Sequence, residues 1–137
     1  MGRILALDYG SKRTGIAVSD PLKMIANPLS TVDTNELIPF LTRYFQQEEV
    51  ETVVVGIPVD LMSRETHGTK GAENMVKKIK GQFPHIAVVT MDERFTSKMA
   101  FDSMMASGIS KKKRADKALV DKLSATIILQ SFMEQTT

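Results

Sequence analysis

The 137-residue sequence contains no cysteine and no tryptophan, and it has two histidines. The absence of cysteine excludes disulfides, thiolate zinc sites and thiol nucleophiles, and it agrees with a reducing compartment. No apolar run approaches the roughly 20 residues that span a bilayer. The apolar segment after Arg3 is interrupted at Asp8, which is too early for a signal peptide. We therefore expect a cytoplasmic protein that does not enter a membrane.

Charged residues are present in both signs but are unevenly placed. Residues 33–65 contain seven acids and two bases, whereas the rest of the chain contains nine acids and sixteen bases. The basic residues concentrate in two clusters, at 77–80 and 111–114. Such a polarised charge distribution is typical of proteins that bind phosphates. The same clusters are equally consistent with a solvated surface that has no ligand.

The hydrophobic patterns predict an α/β fold. Three short strands, at 3–8, 15–19 and 24–32, have short links and indicate an antiparallel meander. The predicted elements that follow are a helix over 34–49 capped by Thr34, a strand over 52–57, a polar loop over 59–71, a basic helix over 72–82, a strand over 86–91, and helices over 96–107 and 116–134. This β-β-β-α-β-α-β-α-α order predicts one domain over residues 1–137, with a mixed five-stranded sheet and helices on both faces.

Asp8 is the first candidate functional residue, because it ends an apolar strand just before Gly10. An ionised carboxylate at the end of a buried strand requires a partner, since an uncompensated buried charge is costly. A divalent cation is one such partner. Lys12 or Arg13 in the same turn is another, and the local sequence leaves both interpretations open.

Asp121 is the second candidate, because it lies in an otherwise apolar stretch of the last predicted helix. Ser124 and Ala125 follow on the same side of that helix. Such small residues would let the helix approach the sheet and would leave room for a metal ion. The alternative is that Asp121 lies at the border of the apolar face and points to water.

Glu93 is the third candidate, because it follows the last predicted strand directly. Ligand sites in α/β sheets gather at such strand ends. Asp92 and Glu93 face opposite sides of a continued strand, so one of the two enters a shared site. Arg94 is interpreted as a phosphate clamp or as a salt-bridge partner. By contrast, His67 and His85 lie in surroundings that suggest no catalytic role.

Phosphodiester hydrolysis is the chemistry that unites these carboxylates. Two or three carboxylates hold Mg²⁺, which prefers oxygen ligands and keeps several waters. Asp8, Gly10 and Gly15 also form a pattern that resembles the phosphate-contacting hairpin of RNase H-like nucleases and of actin-like and sugar-kinase ATPases. Those ATPases enclose the nucleotide between two domains, and 137 residues provide one. The length therefore favours the nuclease.

Four motifs together give the chain a family resemblance. They are LALDYGSKRTGIAVSD at 5–20, VVVGIP at 53–58, DERFTS at 92–97 and VDKLSATIILQ at 120–130. In this order and spacing they resemble the YqgF family, also called RuvX, whose relatives include the RuvC-type resolvases. The resemblance covers essentially the whole chain.

The resemblance implies a three-layer RNase H-like fold, with Asp8, Glu93 and Asp121 as the catalytic residues and the ligands of Mg²⁺ or Mn²⁺. The sequence departs from RuvC-type enzymes at Ala118, where those enzymes carry a further acid. It also offers no carboxylate at the end of the strand over 52–57, where Asp60 is the nearest. The residues expected to bind nucleic acid are Lys12, Arg13, Arg94, Lys111, Lys112, Lys113 and Arg114.

The resemblance implies a role in processing the 5′ end of pre-16S rRNA, in ribosome biogenesis. Its expected partners are the rRNA precursor and the small ribosomal subunit, and the expected state is a monomer or weak dimer. A Holliday-junction resolvase is the first alternative, and it would need paired sites in a dimer. A non-catalytic RNA-binding assembly factor is the second, because a fold does not determine a function.

Overall fold

The computed structural model of the chain describes residues 2–57, 67–92 and 117–135. The strands are β1 (Arg3–Asp8), β2 (Arg13–Ser19), β3 (Ala26–Asp33), β4 (Val50–Ile57) and β5 (Ala87–Asp92). The helices are α1 (Leu37–Gln47), which a 3₁₀ turn over Thr34–Glu36 precedes, α2 (His67–Gln82) and α3 (Lys117–Gln135). The helix predicted over 96–107 lies outside the described residues. Within these ranges, no helix has the length and apolar character needed to cross a membrane.

The five strands form one mixed sheet in the order β3-β2-β1-β4-β5. The antiparallel pairs are β1 with β2 and β2 with β3, whereas β4 is parallel to both β1 and β5. This arrangement confirms the predicted meander and mixed sheet. The carboxyl ends of β1, β4 and β5 meet at one edge, which we call the carboxyl edge.

Helices cover both faces of the sheet, as predicted. Successive side chains of β1 alternate between the faces: Leu5 and Leu7 contribute to the core beneath α1 and α2, whereas Ile4 and Ala6 contribute to the core beneath α3. This alternation explains why the strand is apolar throughout, because both of its faces are buried. Helix α3 therefore forms one layer on one face of the sheet, and α1 and α2 form another layer on the opposite face.

Helix α2 begins earlier than the sequence predicts. It starts at His67, so His67, Gly68 and Gly71 are helical and do not belong to a loop that extends to residue 71. Gly71 misleads the prediction because glycine usually disfavours a helix. Here the Tyr9 ring packs directly against it, and a Cβ at Gly71 would lie 2.7 Å from the Tyr9 hydroxyl oxygen. The glycine thus serves close packing and does not end the helix.

The strand β3 tolerates Pro28 because β3 lies at the edge of the sheet. Ile16 pairs with Ser30 and Ala17 pairs with Pro28, so Leu29 is the extra residue of a β-bulge. The interruption that the sequence predicts at Asn27 and Pro28 is therefore a local irregularity in a continuous strand.

The turn between β2 and β3 is organised by Asp20. Its carboxylate accepts hydrogen bonds from the backbone N–H groups of Ile25 at 2.7 Å, Met24 at 2.8 Å and Leu22 at 3.2 Å. The side chains of these three residues are nevertheless exposed, at 61%, 74% and 62% respectively. The turn thus holds three large apolar side chains in solvent at the end of the sheet opposite the carboxyl edge.

The Asp20 hydrogen bonds predict an acid-dependent loss of stability. The Ile25 N–H and the other backbone donors lower the Asp20 pKa from its ordinary 3.8, so the folded state releases this proton more readily than the unfolded state. The stabilisation is complete above the unfolded pKa and is lost as the pH falls through the folded one. We expect Asp20→Asn to lower the free energy of unfolding by more at pH 7 than at pH 2. Urea denaturation at both values measures this, and an equal deficit at both would contradict it.

Candidate active site

Asp8 ends β1 at the carboxyl edge, where it is half-buried. Its partners in register are Gly15 of β2 and Gly56 of β4. Residues paired in register project their side chains from the same face of the sheet, and glycine has none. Asp8 therefore has glycine as its direct cross-strand partner on both neighbouring strands. This pair of glycines around Asp8 is a feature that sequence analysis missed, because the register of three strands defines it.

Gly15 brings α3 against the sheet beside Asp8. A Cβ at this position would lie 2.0 Å from the carbonyl oxygen of Asp121 and 2.3 Å from its carbonyl carbon. The backbones of β2 and α3 thus touch where no other residue type fits. Asp8 is the cross-strand partner of Gly15, and such partners have Cα atoms about 4.5–5.5 Å apart. The two candidate acids, 113 positions apart in sequence, therefore share one face of the sheet at its carboxyl edge.

The expected close approach of α3 is confirmed, but the small residue that permits it lies on the strand. Ala125 is completely buried in the core beneath α3, as expected for a residue that faces the sheet. The backbone of β2 contacts α3 one helical turn earlier, at Gly15 and Asp121. Glycine on β2 is thus the determinant that the pattern of the helix alone does not reveal.

Asp121 forms an ion pair with Arg13, the first residue of β2. Arg13 Nε donates a hydrogen bond to Asp121 Oδ2 at 3.1 Å, and the two side chains are 37% and 25% exposed. The alternative in which Asp121 simply points to water is therefore wrong. The sequence also leaves Arg13 open as the partner of Asp8, whereas the ion pair described for Arg13 is with Asp121.

The turn that joins β1 to β2 is held by Thr34. The Thr34 hydroxyl donates to the Gly10 carbonyl oxygen at 2.6 Å and lies 3.0 Å from the Thr14 hydroxyl, and the Thr34 N–H donates to the Lys12 carbonyl oxygen at 2.9 Å. The prediction that Thr34 caps the following helix is wrong, because its hydroxyl bonds across to this turn and the helix has no side-chain cap. Thr34 therefore fixes the segment between Asp8 and Arg13.

Replacing Thr34 by valine tests this role. Valine keeps the shape but removes the hydroxyl, so the Gly10 carbonyl and the buried Thr14 hydroxyl each lose a partner. We expect the free energy of unfolding to fall by about 1–3 kcal/mol. Thr42→Val is the matched control, because the Thr42 hydroxyl is exposed and donates within its own helix to Ile38. Calorimetry of both variants measures the loss of stability. Equal losses in the two variants would contradict the role of the Thr34 hydroxyl in holding the turn.

The remaining predicted site residues are divided between described and undescribed parts of the chain. Lys12 is exposed in the turn after β1. Asp92 ends β5 and is half-buried at the same edge. Outside the described residues lie Glu93, Arg94, Lys111, Lys112, Lys113 and Arg114. In the described part of the chain, no three His, Cys, Asp or Glu side chains form a group that could hold a metal ion.

The basic cluster at 77–80 lies away from the carboxylates of Asp8 and Asp121. Its lysines are exposed on α2, which packs on the face of the sheet opposite α3. Helix α2 also leads away from the carboxyl edge, since Gly71 near its start contacts Tyr9 while its end precedes β5. Lys12 and Arg13 lie in the turn after Asp8 and at the start of β2, and Lys122 follows Asp121 on α3. His85, in the turn after α2, is exposed and also distant from the acids.

Comparisons with known proteins agree with this architecture. A family model described as "RuvX: Holliday junction resolvase" matches residues 2–135. Two bacterial relatives are named "Putative pre-16S rRNA nuclease". The protein from Bacteroides fragilis is 49% identical over 134 residues, which cover 98% of this chain and 97% of the relative. The protein from Christiangramia forsetii is 53% identical over 133 residues, which cover 97% and 98%.

The structural comparison shows the same fold at low sequence identity. T. thermophilus RuvC, solved in complex with a Holliday junction substrate, superposes with a TM-score of 0.62 at 15% identity and covers 100% of this chain and 98% of that chain. The predicted RNase H-like fold is thereby confirmed. Since the family model spans nearly the whole sequence and the relatives match along their full length, the chain belongs to the RuvX family.

Proposed function

We propose that this protein is a divalent-cation-dependent nuclease of the cytoplasm that processes the 5′ end of pre-16S rRNA, with Asp8, Glu93 and Asp121 as its catalytic residues. The observation that carries the proposal is the backbone contact of Gly15 with Asp121 beside Asp8, which gathers two carboxylates at the carboxyl edge. The rRNA substrate is taken from the names of relatives that are about half identical to this chain. One domain, spanning residues 1–137, would perform the reaction.

The residues present fit a hard divalent cation. Asp8 and Asp121 offer carboxylate oxygens, which Mg²⁺ and Mn²⁺ accept, and Asp8 has glycine as its direct partner on each neighbouring strand. A bound cation would supply an activated water and would stabilise the charge on the leaving oxygen. Arg13, which pairs with Asp121, and Lys12, which is exposed in the turn after β1, would bind and orient the substrate phosphates.

The assignment of Glu93 as the third ligand is supported by the alternation along β5. Val89 and Met91 contribute to the core beneath α3. The next position of the same parity is 93, so a strand continued by one residue would direct Glu93 to the face that Asp8 and Asp121 share. Ala118 replaces the further acid of RuvC-type enzymes, which predicts a leaner metal site. Arg94 and the basic cluster at 111–114 are proposed to bind the nucleic-acid backbone.

A Holliday-junction resolvase is the second candidate, and the description of the family model and the likeness to RuvC favour it. A resolvase makes two symmetric cuts and therefore needs two sites held in a stable dimer. A monomer or weak dimer suffices for an RNA nuclease that acts beside the small ribosomal subunit. A purely RNA-binding role is disfavoured, because clustered carboxylates repel phosphates unless a cation lies between them.

The deciding experiment offers purified protein three end-labelled substrates: a pre-16S 5′-leader RNA, an unrelated single-stranded RNA of equal length and a four-way DNA junction. Each is tested with Mg²⁺, with Mn²⁺ and with EDTA. We expect cation-dependent cutting of the leader at a defined position, no cutting in EDTA, and slow or no cutting of the unrelated RNA. Symmetric cutting of the junction would instead establish the resolvase. Binding of the leader without any cutting would favour the assembly factor.

A further inference from the structure

The ion pair between Arg13 and Asp121 places a permanent positive charge on a proposed cation ligand. Arg13 Nε lies 3.1 Å from Asp121 Oδ2, in a partly buried setting. A divalent cation on Asp121 would meet the guanidinium at short range, where two like charges repel strongly. Arginine does not lose its proton in proteins, so this repulsion is relieved by moving the side chain.

The geometry around Arg13 allows such a movement. Its backbone is held in the ladder opposite Asp33 at the start of β2, and the Gly10 turn packs on its carbonyl oxygen. The side chain itself is 37% exposed and projects from the same face as Gly15, towards the carboxyl edge. The guanidinium can therefore exchange partners by rotating about its side-chain bonds while the strand stays in place.

The phosphate backbone of a nucleic acid supplies the competing partner. Arginine pairs with phosphate oxygens through two parallel N–H donors, which makes phosphate at least as good a partner as the single contact with Asp121. A phosphodiester bound over Asp8 would come within reach of the adjacent Arg13. The same binding event would then free Asp121 for the cation.

We propose that Arg13 is a positioning residue that holds Asp121 in the free protein and transfers to a substrate phosphate on binding, so that cation and nucleic acid bind cooperatively. This inference rests on the proposed function, since it takes Asp121 as a cation ligand. Linkage requires the coupling to be reciprocal: nucleic acid raises the affinity for the cation, and the cation raises the affinity for nucleic acid by the same factor.

Titration of Mn²⁺, followed by electron paramagnetic resonance, tests the coupling without requiring turnover. The wild type is titrated alone and with a short phosphorothioate oligoribonucleotide, whose integrity is checked on a denaturing gel afterwards. We expect RNA to tighten Mn²⁺ binding by about tenfold. In Arg13→Gln we expect Mn²⁺ to bind about tenfold more tightly without RNA, and RNA to add little further. Arg13→Lys retains the charge and should bind Mn²⁺ as weakly as the wild type.

Arg3→Gln is the matched control. Arg3 pairs with Glu48 at 3.2 Å in a comparable, partly buried setting, but at the start of β1, away from the carboxyl edge. This variant should bind Mn²⁺ like the wild type, both with and without RNA. A wild type whose Mn²⁺ affinity does not respond to RNA would overturn the inference, and so would an Arg13→Gln protein that binds Mn²⁺ no more tightly than the wild type.

Asp8→Asn separates a failure of this inference from a failure of the proposed function. If Asp8→Asn loses Mn²⁺ binding while Arg13→Gln leaves it unchanged, the cation site stands and the role of Arg13 falls. If Mn²⁺ binds none of the proteins, with or without RNA, the cation site falls and the role of Arg13 falls with it.

Discussion

Replacing Asp8 by asparagine should lower the rate of leader cleavage by about a thousandfold while leaving RNA binding in EDTA intact. Asparagine preserves the size of the side chain but removes the charge that would hold the cation. Lewis-acid stabilisation by a bound cation is worth several kcal/mol in the transition state, and about 4 kcal/mol corresponds to about a thousandfold in rate. RNA binding in EDTA should be retained, because without a cation the substitution only removes a negative charge from a surface that faces phosphates. Single-turnover cleavage with Mg²⁺ and filter binding in EDTA measure the two quantities separately.

Glu51→Gln is the control for this experiment. Glu51 is an exposed acid near the start of β4, at the end of the sheet opposite Asp8, where it pairs with Lys23. The change removes the same charge by the same kind of substitution, so the cleavage rate should stay within about twofold of the wild type, as for a surface change remote from the site. Equal losses in both variants, or an Asp8→Asn protein that cleaves normally, would refute the role of Asp8.

Replacing Gly15 by alanine should cost about 3 kcal/mol of folding free energy and should also disable the site. The added Cβ would lie 2.0 Å from the Asp121 carbonyl oxygen and 2.8 Å from the Lys122 backbone nitrogen. Both atoms belong to a helix backbone, so α3 must shift as a unit, and overpacking of this kind typically costs about 1–3 kcal/mol. We expect a fall in Tm of about 10 °C for a domain of this size.

The same shift would move Asp121 relative to Asp8. A displacement of about 1 Å in a catalytic group can cost about a hundredfold in rate. Cleavage by Gly15→Ala should therefore fall by about a hundredfold at a temperature where circular dichroism shows the variant to be fully folded. Thermal denaturation and cleavage, measured on the same preparation, test both effects.

Gly81→Ala is the control for this glycine. Gly81 lies near the end of α2, and a Cβ there would have no atom within 4 Å. Alanine favours a helix over glycine, so the same substitution should raise the free energy of unfolding by about 0.5–1 kcal/mol. If Gly15→Ala proved as stable as the wild type, the backbone contact between β2 and α3 would not be the determinant of the site.

Local pattern was sufficient to predict most elements of the fold. The apolar runs at 3–8 and 52–57 coincide with β1 and β4, which are buried on both faces. The predictions were wrong where a tertiary contact overrides a local preference. Gly71 is helical because Tyr9 packs on it, and Thr34 bonds to Gly10 and Thr14 and does not cap a helix. Neither partner is a near neighbour in sequence, so a local pattern contains no signal for either contact.

The sequence by itself determined the type of fold, the family and the identity of the candidate acids, because periodicity, motif spacing and residue chemistry are all written along the chain. Only the tertiary structure decided which residues meet. The register of β1 with β2 and β4 places Asp8 between two glycines. Because Gly15 has no side chain, α3 packs directly against β2, and Asp121 lies beside Asp8 with Arg13 as its counter-ion. The reason is that the contacts of Asp121 with Gly15 and Arg13 join positions about a hundred residues apart, and packing between layers, not local propensity, selects them.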